Sequence, residues 1–254
     1  MRRVIFNQKG GVGKSTIACN LAALSAANGK RTLLIDMDPQ ANSTQYLMGQ
    51  KAGEIEVSLV DFYKECLFVT FFPKGIDACI LATPYAGLDL LPSGEELSDL
   101  MYRLESRYKF GKLKDALDKL DGYAAIFIDT PPAFNFYTLS ALIAADRCLI
   151  PFDCDEFSRR ALYRLLDRVR EIQADHNKNL KVEGIIVNNF LPRANLPKAI
   201  VAELAGEGLP ILKSHISHSV KISESHQKAV PLVNFAPQHK LAQQFRSLYD
   251  EISA

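Results

Sequence analysis

From Asn7 to Thr16 the chain reads NQKGGVGKST, directly after the apolar run Val4-Ile5-Phe6 and directly before a helical pattern. Few segments constrain a fold so tightly. A strand that feeds a glycine loop and then a helix is the setting in which a phosphate loop forms. Gly10, Gly11 and Gly13 open backbone angles closed to other residues. With Val12 between them, their N–H groups and the helix N-terminus form a nest for anions. In that nest Lys14 reaches β- and γ-phosphates, the Ser15 hydroxyl ligates Mg²⁺, and Thr16 donates to the α-phosphate. The strict pattern GxxxxGK[ST] is not met, because Gln8 stands where its first glycine belongs, and Lys9 adds a second lysine to the loop.

The rest of the chain supplies a matching frame. Val4–Phe6, Leu33–Ile35, Ile80–Leu81, Leu88–Leu91, Ala125–Ile128, Cys148–Ile150 and Ile185–Val187 are short apolar runs without alternation. Such runs suit parallel strands covered on both faces. Patterns at 3.6 spacing separate them, over Lys14–Asn28, Glu95–Leu120, Tyr137–Ala145, Ser158–Asp175, Leu196–Gly206 and Gln238–Ile252. The expectation is an α/β fold, a doubly wound, mostly parallel sheet with helices on both faces, in a single domain over residues 1–254. Ser58–Pro73 is apolar and aromatic, and is read as a core helix followed by a strand in preference to a partner surface. Cys19, Cys66, Cys79, Cys148 and Cys154 show no metal-ligand spacing and read as small hydrophobes in a reducing cytosol. No apolar run reaches the ~18–20 residues of a bilayer span, which leads to the expectation of a cytoplasmic protein with no membrane partner.

Four further segments agree with the loop. LLIDMDPQANST spans Leu33–Thr44, LLPSGEEL spans Leu90–Leu97, FIDTPPAF spans Phe127–Phe134 and HSVKISES spans His218–Ser225. Together with KGGVGKS they resemble the ParA/MinD family of deviant phosphate-loop ATPases, in a ParA-like short form without an N-terminal DNA-binding extension. Ala41 replaces the family's usual glycine and Lys221 its arginine. The resemblance implies a homodimer that forms around two ATP molecules, with Lys9 crossing to the partner's phosphates. It implies catalytic roles for Lys9, Lys14 and Asp38, with Asp38 orienting the attacking water. Asp36 and Asp129 would serve the metal, Asp129 holding Mg²⁺ through water. Asn188, at the end of GIIVN, is placed like the family's adenine-reading residue, with Asn189 beside it.

Charge then needs dividing by segment. Lys+Arg total 30 and Asp+Glu 29. From Asn188 to Arg246, however, seven cations face three acids, a local excess of +4. Arg193, Lys198, Lys213, Lys221, Lys228 and Arg246 are therefore candidate contacts to non-specific DNA, which needs phosphate neutralisation and no base reading. His215, His218, His226 and His239 fall in the same segment. The family's habit implies a nucleoid-associated protein that positions a cargo, with a ParB-like or cargo-adaptor protein stimulating hydrolysis. A MinD-like membrane-bound regulator would want a basic amphipathic last helix, whereas this one carries the stripe Leu241, Phe245, Leu248, Ile252 and ends Asp250-Glu251. A core-packing role is expected for it. A metabolic ATPase of the same fold is the third reading, although no second-substrate motif supports it.

Overall fold

The computed structural model describes residues 1–68 and 74–253. Among the described residues seven strands form one sheet: β1 (Arg2–Ile5), β2 (Thr32–Asp36), β3 (Leu81–Ala82), β4 (Leu88–Leu91), β5 (Ala125–Asp129), β6 (Arg147–Asp153) and β7 (Lys181–Asn188). Their order is β3-β4-β2-β5-β1-β6-β7. Every pairing is parallel except that of β3, a two-residue antiparallel edge strand. The expected doubly wound sheet is present.

Side-chain alternation within these apolar runs builds two core layers. On β1, Val4, with Phe6 just past the strand, packs into one layer and Ile5 into the other; Leu33 and Ile35 part from Leu34 in the same way, as do Ile126 and Ile128 from Phe127. Strands with no polar face must be covered twice, and the helices do this. The layer holding Ile5 is closed by α1 (Lys14–Ala27), a helix rich in Ala18, Ala22, Ala23 and Ala26, whose small side chains let it lie close to the sheet. On α1 rests α11 (Lys240–Ser253), with Leu241, Phe245, Leu248 and Ile252 all at most 7% exposed. The apolar stripe of the last helix is thus core, as expected, and no helix among the described residues is long and apolar enough to cross a membrane.

The opposite layer is covered by α3 (Leu59–Leu67), α4 (Leu97–Ser106), α5 (Lys112–Leu117), α6 (Phe136–Ala144) and α7 (Glu156–Asp175). The first begins in a capping box between Ser58 and Asp61 and buries Leu59, Val60, Phe62, Tyr63 and Leu67, so this part of Ser58–Pro73 is core. The strand expected after it falls on 69–73, outside the described residues. The single helix expected over Glu95–Leu120 is two. Tyr108 takes a left-handed backbone (φ 52°), and the Lys109 amide donates back to Leu104 O at 3.0 Å, an ending of the type that closes helices. The helix expected over Leu196–Gly206 is α8 (Asn195–Gly206), and three helices lie outside the expected patterns: α2 (Asn42–Met48), α9 (Val220–Gln227) and α10 (Leu232–Phe235).

Register positions the site. Asp36 stands opposite Asp129 across β2 and β5, and Ile5 stands opposite Asp129 across β1 and β5. The carboxyl ends of three neighbouring strands therefore meet at one point, the edge where open α/β sheets bind ligands.

Candidate functional site at the carboxyl edge of the sheet

The glycine loop leaves β1 at that point. Asn7 pins its start: its Oδ1 accepts from Lys9 N at 2.8 Å and its Nδ2 donates to Pro151 O at 2.6 Å. Gly13 is the N-cap of α1, at φ 89°, a conformation that glycine enters without strain. A Cβ there would also meet Asn188 Nδ2 at 2.5 Å. Because a glycine cap has no side chain to accept from the first turn, the helix keeps its N–H groups and its positive end for an anion.

Lys14 is buried at 7% exposure, and its Nζ donates to Lys9 O at 3.2 Å. Burial lowers its pKa, while the charges of Asp129 and Asp38 act the other way. Asp129 is fully buried. Its Oδ2 accepts from Ser43 Oγ at 2.7 Å, and its Oδ1 has no partner. Burial raises its pKa, against the pull of the Ser15 and Ser43 hydroxyls and of Lys14. Asp36 is raised as well, first by burial and next by the charge of Asp129. Both its oxygens are engaged: Oδ1 accepts from Asp38 N at 3.1 Å, and Oδ2 from Thr44 N and Oγ1, each at 2.8 Å. It thereby holds the turn that carries Asp38. The Asp38 carboxylate accepts from Gln40 N at 3.0 Å and its carbonyl from Ser93 Oγ at 2.6 Å. Gly10, Gly11, Gly13, Lys14, Ser15, Thr16 and Asp38 line one cleft of about 1510 Å³.

Other expected residues have different surroundings. Lys9 lies within its own chain's carboxylates: its Nζ is 2.9 Å from Asp155 and 3.1 Å from Asp153, and donates to Ser158 Oγ at 3.0 Å. Asp155 is itself the cap of α7, accepting from Ser158 N. Hydrogen bonds to these carboxylates raise the lysine's pKa in spite of desolvation. Asn188 is buried and donates to Val12 O at 2.8 Å, bracing the loop from beneath, while also lining a smaller cavity of about 190 Å³. The Thr16 hydroxyl is 2.9 Å from His226 Nε2.

The basic segment is less uniform than its count implies. Arg193, Lys198, Lys213 and Lys228 are exposed. Lys221 instead pairs with Glu224 at 2.5 Å, and Arg246 donates to Pro237 O at 2.7 Å. Glu251 accepts from the Lys213 and Ser214 amides, which sets an acid beside one of the cations.

Sequence reading assigned no role at this site to Ser43, Thr44, Ser93, Asp153, Asp155, Ser158 or His226, the last noted only as part of the basic segment. The first three fall inside DPQANST and LPSG, so the motifs held a signal for them. Nothing local marked the other four.

A metal at this edge would find one buried, unpartnered carboxylate oxygen and a serine hydroxyl. Among the described residues no group of three or more His, Cys, Asp or Glu could hold a metal alone. That donor set suits Mg²⁺, which takes one or two protein ligands and completes its shell with water and substrate phosphates.

A family profile described as an AAA domain matches residues 3–182. The chain is 33% identical over 253 residues to the sporulation initiation inhibitor protein Soj of Bacillus subtilis, covering 98% of this chain and 97% of that one. It is 32% identical over 252 residues to the chromosome partitioning protein ParA of Myxococcus xanthus, covering 98% and 86%. Among solved structures, cobyrinic acid a,c-diamide synthase of Mycobacterium smegmatis, with bound ATP analog and magnesium, is similar at a TM-score of 0.84 and 26% identity, covering 98% and 92%. The cell division ATPase MinD of Pyrococcus furiosus shares the fold at a TM-score of 0.79 and 21% identity, covering 99% and 98%. With the glycine loop, the paired aspartates and near full-length similarity in agreement, the chain belongs to the ParA/MinD family of P-loop ATPases.

Proposed function

We propose that the protein is an ATP-dependent dimerisation switch, a cytoplasmic ATPase that binds DNA non-specifically as a dimer and positions a cargo on the nucleoid. The observation that carries the nucleotide half is the buried pair of Lys14 and Asp129 at the mouth of the glycine loop, with Asp129 Oδ1 unpartnered. A desolvated lysine and an unsatisfied buried carboxylate oxygen are costly, and a metal–phosphate group would satisfy both.

In this reading Gly10, Gly11, Val12 and Gly13 offer backbone N–H groups to the phosphates. Lys14 holds the β- and γ-phosphates, and Thr16 donates to the α-phosphate. Ser15 and Asp129 hold Mg²⁺, Asp129 through water, and Asp36 supports that shell by fixing Asp38 through its amide. Mg²⁺, when bound, supplies charge neutralisation at the transferred phosphoryl group. Asp38 orients the attacking water, and Asn188 contacts adenine from the floor of the loop.

For Lys9 to reach the partner's phosphates it must leave Asp153 and Asp155. Crowded phosphate oxygens at a dry interface attract a cation more strongly than half-buried carboxylates in contact with solvent do. A ParB-like or cargo-adaptor protein then stimulates hydrolysis. Arg193, Lys198, Lys213, Lys221, Lys228 and Arg246 make the DNA contacts, and a dimer doubles a patch that is weak in one subunit. The deciding experiment is DNA binding by the full chain with ATP, ADP and no nucleotide, at several salt concentrations. The reading expects binding with ATP alone and a steep salt dependence. Equal binding in all three conditions would overturn it.

A further inference from the structure

His226 belongs to none of the motifs that mark this family, yet it stands against the phosphate loop. Its Nε2 is 2.9 Å from the Thr16 hydroxyl. Gly11, Gly13, Thr16 and His226 line both the large cleft and the smaller cavity that Asn188 floors. The Thr16–His226 pair therefore stands where the two cavities meet, which on the reading of Asn188 as the adenine contact is where phosphates give way to nucleoside.

The ring is also held in place. It meets Tyr46 edge-on at 4.6 Å between centroids. The Tyr46 hydroxyl in turn bonds Ser225 Oγ at 2.8 Å and accepts from Leu232 N at 3.0 Å. Asn20, one turn along α1 from Thr16, accepts from Val233 N at 3.1 Å. Two elements distant in sequence, α1 and the α9–α10 segment, are thus joined around this histidine. Desolvation pushes the imidazole pKa below its ordinary value, which favours the neutral ring near neutral pH.

We infer that His226 is a positioning residue for nucleotide binding, which fixes the Thr16 hydroxyl so that its proton points to a phosphate oxygen. The inference rests on the phosphate-loop reading above. The reason lies in counting protons. A hydroxyl has one proton and two lone pairs, and a neutral imidazole has one N–H. If Thr16 donates to Nε2, nothing remains for an anion, since phosphate oxygens at the α position only accept. If Nε2 carries the proton and donates to Thr16 Oγ1, the Thr16 proton is free. A bound nucleotide selects the second arrangement, so the bound state requires the Nε2–H tautomer.

The test uses the full chain, the analogue AMPPNP with Mg²⁺, and isothermal titration. His226→Phe keeps a ring but no hydrogen bond, and should weaken binding about 10- to 150-fold, the worth of one hydrogen bond to a charged group. His226→Gln restores an N–H donor and should lie within about threefold of the unmutated protein. The double variant His226→Phe/Thr16→Ala should bind within about twofold of Thr16→Ala alone, because the histidine acts only through that hydroxyl. ¹⁵N spectra of histidine-labelled protein, with the His226 signal identified by its loss in His226→Gln, should show the proton on Nε2 once AMPPNP is bound. Melting temperatures confirm that each variant is folded. Unchanged affinity in His226→Phe, losses that multiply in the double variant, or a proton on Nδ1 in the bound state would each overturn the inference. A Lys14→Ala control separates the two levels: if it binds AMPPNP with undiminished affinity, the phosphate-loop reading itself fails.

Discussion

A single carboxylate oxygen, Asp129 Oδ1, shows how function is built into this site at the expense of stability. Burial raises the pKa of Asp129 by more than Ser15, Ser43 and Lys14 lower it, so its ionised form is disfavoured in the folded apoprotein. A group whose folded pKa is raised in this way costs stability as pH climbs above the unfolded value, about 4 for aspartate. Asp129→Asn should therefore raise the melting temperature of the nucleotide-free protein near neutral pH, by about 2–4 °C for a gain of about 1 kcal/mol. The advantage should vanish below about pH 4, where both proteins carry a neutral group. The same variant should lose Mg²⁺-dependent nucleotide binding. Calorimetry across pH checks the first half and titration with Mg²⁺ the second; a lower melting temperature at neutral pH would refute the argument. Lys14→Ala removes the buried cation on which the charges of Asp129 and Asp38 act, and should cut ATP affinity about 100-fold or more, a loss of roughly 3 kcal/mol. Equilibrium binding of labelled ATP measures it.

At the scale of elements, the turn into α2 holds a stored strain. Ala41 is the N-cap of α2 at φ 53° and ψ 35°, in the left-handed region, where a residue bearing Cβ is disfavoured by roughly 1–2 kcal/mol. The turn is held there by Asp36, which accepts from Thr44 on one side and Asp38 on the other. Ala41→Gly should relieve the strain and raise stability by about 0.5–1 kcal/mol after glycine's entropy cost, read as a higher midpoint in urea at unchanged slope. A lower midpoint would show that the backbone is unstrained. The helix ends teach a related lesson. The strands were legible from apolar runs, and α1 from its glycine on either side. The break between α4 and α5 was marked in the sequence only by Gly111, the N-cap of α5, which disfavours helix without forbidding it; packing of Leu104 and Leu113 into one core accompanies it.

For the whole molecule, the proposed switch makes its own demands. Asp38→Ala should trap an ATP-bound dimer, seen as a dimer by light scattering with ATP and as a monomer without it. A variant that hydrolyses ATP at the unmutated rate would remove Asp38 from its role. Lys221→Glu should weaken DNA binding severalfold with ATP hydrolysis unaltered, since it changes a phosphate contact and not the nucleotide site. The effect should be smaller than for Lys228→Glu, because Lys221 already pairs with Glu224. Salt-titrated binding of both variants tests the ranking. Overall charge could not have made this distinction, since a near-neutral sum says nothing of which cations are already paired.

By itself the sequence determined the fold class, the phosphate loop and the aspartates at strand ends. Each of these rests on local chemistry: apolar runs dictate strands, glycines permit the loop, and a polar residue ending an apolar strand falls at the sheet's edge. Tertiary structure alone decided what those residues touch. Lys9 meets Asp155, Asp129 meets Ser43 and Thr16 meets His226 across 146, 86 and 210 residues of chain. No spacing rule spans such intervals. These contacts follow from strand order and register, which bring distant segments to one edge because the sheet must bury both of its faces.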